Sequence, residues 1–344
     1  MNSRDRIYSL LNHKIPDRVP YGDLLISKNV INAIFPGYSY FDFCEKMDID
    51  IVFVKRDFNF KWIDEEKGLY INEWGIIRKK GNEETDDYID GPLKSVEDIK
   101  NYRIPDPLDE NNFKSLREAV RRFKKDKIIC FLSKATFNFP WNLVGNFQQY
   151  LIDLYTNPKF IYKLHSIVED HHIVLNEKAL GLGADMVALV DDYAYKDNMF
   201  ISREKFLKFC LPSIQRTVES VHKRGGYIFF HSDGNYRGVI DDIIGAKIDF
   251  LHPLEPNIFD IKEIYEKHRE KIIICGNIDC AVTLTSKSPK QVENEVKWLM
   301  KNIAPKGRYI ICSSNTIHSK VKPQNYIAFL RAIKKYGRYP INVS

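Results

Sequence analysis

Four short segments carry side chains capable of acid-base or metal chemistry: VDDYAY (residues 190–195), HSDGN (231–235), HPLEP (252–256) and GNID (276–279). Each follows an apolar, β-branched run, so each falls where a strand is expected to end. In HSDGN, side-chain alternation puts His231 and Asp233 on one face and Ser232 on the other. An imidazole and a carboxylate on one face suit a divalent metal or an acid/base pair. The competing reading makes Asp233 the cap of the next helix and His231 a satisfied strand-end histidine.

Asp191 and Asp192 are adjacent carboxylates, costly unless solvated or paired with a cation or donor, and only one of them can point inward. With Tyr193 they are candidate catalytic residues; a cap for the turn at 193–202 is the alternative. Glu255, between Pro253 and Pro256, sits in an extended turn from which it can reach a strand-end site, or it is a surface turn residue. Asn277 and Asp279 of GNID are candidate substrate contacts. ICSSNTIHS (311–319) offers Asn315 and His318 in a loop, whereas Cys312 lies in an apolar run and reads as a small core residue. His171 and His172, mid-helix, read as surface or packing residues. GxSxG, HExxH, GxxxxGK[ST] and a strand-following GxGxxG do not occur, which removes the hydrolase elbow, the zincin helix and the nucleotide loops.

The elements that must position these residues follow a regular alternation. Strands are expected at 127–133, 184–191, 226–233, 248–253, 271–277 and 308–314, plus one near residue 51. Amphipathic helices are expected at 158–181, 203–224, 237–245, 259–270, 289–303 and 323–336. Seven strands and an uncertain eighth suit a (β/α)8 TIM barrel of α/β class, with a doubly wound open sheet as runner-up. Ahead of it lie a helix over RDRIYSLLNHK stopped by Pro16, a second helix over YFDFCEKM, and a hairpin excursion between Phe58 and Arg78, read as a helical and hairpin extension. Residues 1–344 are expected to form a single domain. A barrel gathers strand-end residues at its C-terminal face, so Asp57, Asp191, His231, Asp233 and Glu255 are expected to converge.

Composition limits the remaining choices. The 44% apolar and 13% aromatic content excludes a disordered chain. The net charge of +6 is interleaved, as in REAVRRFKKDK (117–127), which reads as solvated helix faces and not a nucleic-acid tract. The longest apolar runs, such as IICFL, fall far short of the roughly 20 residues needed to cross a bilayer, so no membrane span is expected. Six scattered cysteines without a CxxC pair or a leader point to a reduced cytoplasm.

PDRVP, GADMVALVDDY, FISREKFLKFCLPSIQR, HSDGN, IDFLHPLEP, CGNID and PQNYIAFLRAIKKYGRYP, in that order over about residues 3–341, resemble the uroporphyrinogen decarboxylase superfamily. The resemblance implies a barrel enzyme of one of two kinds: a porphyrinogen decarboxylase, or a zinc-dependent methyltransferase that takes its methyl group from a methylcorrinoid carried by a partner protein. The decarboxylases' arginine segment is missing, since PYGDLLISKNV (20–30) holds no arginine. Asp57, seven residues after Asp50, resembles the decarboxylases' essential aspartate. The methyltransferases' His-x-Cys pair matches His231 with Asp233 in place of the cysteine, and their later cysteine position falls on Asn315. The resemblance therefore implies a harder metal set of His231, Asp233 and Glu255 or His318, for zinc or a similar dication. A metal-assisted methyltransferase with a small-molecule substrate and a corrinoid protein partner is the leading expectation. Decarboxylation of a porphyrinogen-like or other carboxylated substrate, and a non-catalytic tetrapyrrole- or corrinoid-binding barrel, stay open.

Overall fold

The structure is a computed structural model that describes residues 1–81 and 83–343. Seven strands, Ile51–Val54, Ile128–Ser133, Met186–Val190, Tyr227–His231, Phe250–His252, Ile273–Cys275 and Tyr309–Ile310, follow one another in a single sheet in chain order. Their residues are almost all buried. That burial is why they read as continuous apolar runs, as expected where helices cover both faces of a parallel sheet. Each lies inside the run that marks it in the sequence but is shorter, because the polar ends belong to loops.

The chain divides into two compact units. The first comprises Met1–Phe53, Ala119–Cys130 and Asp249–Ser344. In it Phe250–His252 pairs parallel with Ile273–Cys275, which pairs parallel with Tyr309–Ile310. No regular strand occupies the eighth place among the described residues. Instead Tyr21 makes a parallel bridge to Ile311 and accepts the Asp50 N–H at 2.9 Å through its carbonyl. Flanking prolines and Gly22 interrupt the apolar pattern there, which is why the sequence left this strand uncertain. The Asp50 carboxylate, fully buried, accepts from Arg6 at 3.1 Å and from Arg18 at 2.6 and 3.0 Å, so its burial is offset by charge-assisted bonds.

The second unit comprises Val54–Glu118 and Phe131–Ile248. Met186–Val190 pairs parallel with Tyr227–His231 in an unbroken register that sets Val190 opposite His231. The hairpin expected at 58–78 is the first half of a four-stranded antiparallel sheet, Phe60–Asp64, Leu69–Asn72, Ile77–Lys79 and Asp87–Asp90. Charged residues obscured its last strand in the sequence. The helix Pro158–Gly181 spans its expected residues. That expected at 203–224 is two, Arg203–Phe209 and Leu211–Lys223, because Pro212 cannot donate to the preceding turn. His171 and His172 are packing residues: each is buried, and Trp74 lies 4.5 Å from the His171 ring.

Candidate metal centre

The paired strands Met186–Val190 and Tyr227–His231 end side by side, and their register delivers three ligand-bearing residues to one place. The carboxylates of Asp192 and Asp233 and the imidazole of His231 offer one ligand atom each, all within 4.8 Å of one another. His231 Nε2 lies 3.5 Å from Asp233 Oδ1 and 3.8 Å from Asp192 Oδ1. The backbone N–H of Asp233 donates to Asp192 Oδ1 at 3.0 Å, which locks the two loops together. Gly234 closes the turn. Its φ of +78° is in the left-handed region, and a Cβ there would lie 2.5 Å from the Ala194 carbonyl oxygen, so only glycine fits.

Burial controls the electrostatics. Desolvation pushes His231 down to about 4; the nearby Asp192 pulls it upward and Lys134 adds to the depression. The imidazole is therefore neutral near pH 7 and holds a lone pair, the form that ligates metals. Asp191 is fully buried and raised to about 7 by desolvation, against the downward pull of the bond from Asn138, of Lys134 and of Tyr193. Its carboxylate accepts the N–H groups of Phe137 (2.8 Å) and Asn138 (2.6 Å) and the Tyr193 hydroxyl (2.9 Å). Asp191 thus caps the helix Asn138–Val144 from another strand end, where Phe137 makes no side-chain cap of its own. Tyr193 is wholly buried against Phe137, Phe206 and Phe230. Asn138 returns the favour, its Nδ2 donating to Asp192 Oδ2 at 2.9 Å.

A neutral imidazole nitrogen with two carboxylate oxygens is a donor set suited to zinc, manganese or iron(II), and the partly open Asp192 and Asp233 leave the site reachable. The residues present fit a divalent cation. The uroporphyrinogen decarboxylase (URO-D) family profile matches residues 80–336, which contain this whole cluster. The chain belongs to the URO-D family. Relatives of this URO-D family protein include uroporphyrinogen decarboxylases from Idiomarina loihiensis (20% identical, 72% of this chain and 69% of the relative) and Alkalilimnicola ehrlichii (19% identical, 71% and 67%). In three dimensions it is similar to a methyltransferase from Methanosarcina mazei, with a TM-score of 0.77 at 15% identity, covering 98% of this chain and 99% of that one. That likeness shows a shared α/β fold of TIM-barrel kind.

Other residues singled out in this URO-D family sequence are placed as follows. Asp57, in the second unit, accepts from the Ser115 N–H (2.8 Å) and hydroxyl (2.7 Å) at the start of the helix Lys114–Phe123. In the first unit, Glu255 forms a turn whose carbonyl accepts from Ile258 and Phe259. His318 Nδ1 accepts the Lys320 N–H and Nε2 faces the Cys280 carbonyl, both at 3.3 Å, so both ring nitrogens are engaged locally. Neither Glu255 nor His318 contributes a ligand atom to the Asp192–His231–Asp233 cluster. Asn315 accepts the Thr316 N–H at 2.6 Å, and Cys312 is buried. Asp279 accepts the Ala281 and Val282 N–H groups, and Asn277 donates to the Leu254 carbonyl at 2.6 Å. Asn277 also lines a cleft of about 450 Å³ with Pro256, Phe259, Glu295 and Trp298. The sequence reading passed over Lys134 and Asn138. Their only sequence signal is a polar residue just past the run IICFLS, a strand end like the four that were singled out.

Proposed function

We propose that the protein is a metal-assisted methyltransferase that moves a methyl group between a corrinoid protein and a small-molecule acceptor in the cytoplasm. The observation that supports this reading is the clustering of Asp192, His231 and Asp233 around a neutral imidazole. These three residues would hold zinc or a similar dication. When bound, the ion supplies Lewis acidity that lowers the acceptor's pKa without a strong protein base. His231 contributes its lone pair, and the two aspartates neutralise the charge. Asn138 fixes the orientation of Asp192, and Asp191 with Tyr193 fixes the loop that carries Asn138. A methylcorrinoid on the partner protein would supply the methyl group and keep the electron pair of the bond it gives up, and the acceptor would release its proton to solvent.

The experiment is twofold: metal analysis of protein purified without added metal, then incubation with methylcobalamin and a thiol, following loss of the methyl–cobalt absorbance. Metal at one equivalent with metal-dependent demethylation is expected. Metal-free protein without demethylation overturns the reading, and stoichiometric corrinoid binding without turnover selects a non-catalytic barrel.

The names of the curated relatives favour a second reading, decarboxylation with Asp57 stabilising developing positive charge. Against it, residues 20–30 hold no arginine to grip acetate groups. Enzyme-like accumulation of coproporphyrinogen from uroporphyrinogen would establish it.

A further inference from the structure

In the first unit the turn PNIFDI (256–261), Asn277 and the helix Pro289–Asn302 enclose a cleft of about 450 Å³. That volume falls in the roughly 300–1,000 Å³ range of small-molecule sites. Glu295 and Trp298 are three apart on the helix, so both face the cleft. Phe259, Ile261 and Leu299 extend the wall as apolar surface. Trp298 is 48% exposed, a large indole left in water at the edge of a concave site.

The buried polar groups of this wall accept, and its charged groups are acids. Asn277 is only 5% exposed; its Nδ2 donates to the Leu254 carbonyl at 2.6 Å, and among the described residues no donor reaches its Oδ1. An amide oxygen drawn this far out of water is costly to leave without a donor. The two charged side chains that line the cleft are Asp260 and Glu295. Glu295 accepts the Asp279 N–H at 3.0 Å and the Thr283 hydroxyl at 2.6 Å. These donors are neutral and leave the carboxylate's charge in place, each oxygen keeping a further lone pair. Among the described residues no lysine or arginine forms an ion pair with Glu295, Asp279 or Asp260. Burial, with Asp279 adding to it, raises the Glu295 carboxyl above its ordinary value, against the pull of Thr283, the Asp279 N–H and Lys287.

We propose that this cleft binds a small organic cation, an ammonium or guanidinium on an aromatic or apolar body, whose N–H groups reach Asn277 Oδ1 and Glu295 while its body lies on Trp298. The proposal is independent of the reading of Asp192, His231 and Asp233. An anion would meet two acids and no base on the wall. An uncharged apolar ligand would cover Glu295 and leave Asn277 Oδ1 unmet. A cation with N–H donors satisfies both groups through charge-assisted bonds and gains from the face of the indole.

The test is calorimetric titration of the full chain with 2-phenylethylamine and with 2-phenylethanol, which share one body and differ in charge. Wild type is expected to prefer the amine about tenfold. Glu295→Gln should abolish that preference, and Trp298→Ala should weaken amine binding about fivefold with an unchanged melting curve. A wild type that binds neither probe, or both alike, overturns the proposal, as does a Glu295→Gln variant that melts with the wild type and keeps the preference. Should Glu295→Gln fail to fold, Trp298→Ala decides, and unaltered amine affinity there overturns the proposal. Amine binding lost in His231→Ala and kept in Glu295→Gln assigns the ligand to the metal cluster and overturns it too.

Discussion

Asn138 and Asp192 are joined by a single hydrogen bond of 2.9 Å that couples a helix start to a carboxylate of the candidate metal cluster. Asn138 is the first residue of its helix, and its own N–H is fixed by Asp191. The bond thus transmits the position of a buried, rigid cap to a partly exposed aspartate, whose other oxygen is held by the Asp233 N–H.

That relationship predicts a separation of metal affinity from stability. Asn138→Ala should weaken binding of zinc by about 10- to 100-fold, the usual cost of losing a partner that orients a ligand. His231→Ala should abolish binding, and Cys312→Ser, at a buried site in the first unit, should leave it nearly unchanged. Calorimetry with zinc on the three variants checks this, and equal binding by wild type and His231→Ala would remove His231 from the ligand set.

A second prediction concerns acid. Burial holds His165 at about 4, His171 at about 2, His172 at about 3 and His231 at about 4, all below their unfolded value near 6.5. The unfolded chain therefore binds more protons in this range. The stability these histidines confer is fully present above pH 6.5 and is lost as pH falls toward 4. Denaturant titrations of metal-free protein at pH 7, 6 and 5 should show a steep fall, made shallower by His171→Phe. A flat profile would contradict the buried, neutral state of these rings.

Asp191 acts in the opposite sense. Its folded value near 7 lies above the unfolded carboxylate value, so its contribution is fully present below about pH 4 and is lost as pH rises through 7. Asp191→Asn would set an amide against N–H donors, costing about 2 kcal/mol near neutral pH. The variant should also lack the wild type's loss between pH 4 and 7 that this group supplies. Paired urea titrations of chelated wild type and variant measure both effects.

Gly234→Ala should destabilise the protein by about 2 kcal/mol or more, since it combines a left-handed φ with a Cβ pressed against the Ala194 carbonyl. Because the turn also positions Asp233, zinc affinity should fall with it. An alanine variant with a wild-type melting temperature would show that the 193–195 loop can move away.

The order of strands and helices was legible from residue 113 onward, because parallel strands covered on both faces are continuous apolar runs separated by amphipathic helices. The helices Pro158–Gly181 and Pro323–Tyr336 have the bounds their periodicity implies. His231 and Asp233 were also legible as a pair, since alternation alone puts them on one face. What alternation cannot give is a partner from another strand. That Asp192, and not Asp191, joins His231 depends on the register of Met186–Val190 against Tyr227–His231 and on Asp191 being taken up by the 137–138 turn. The same holds for Asn138, an ordinary polar residue in the sequence that gains meaning from hydrogen bonds to positions more than fifty residues away. Sequence determined which segments form strands, because that follows from local burial and periodicity. Tertiary structure alone decided which strand ends meet, because that is set by non-local hydrogen bonding and by where buried carboxylates find their donors.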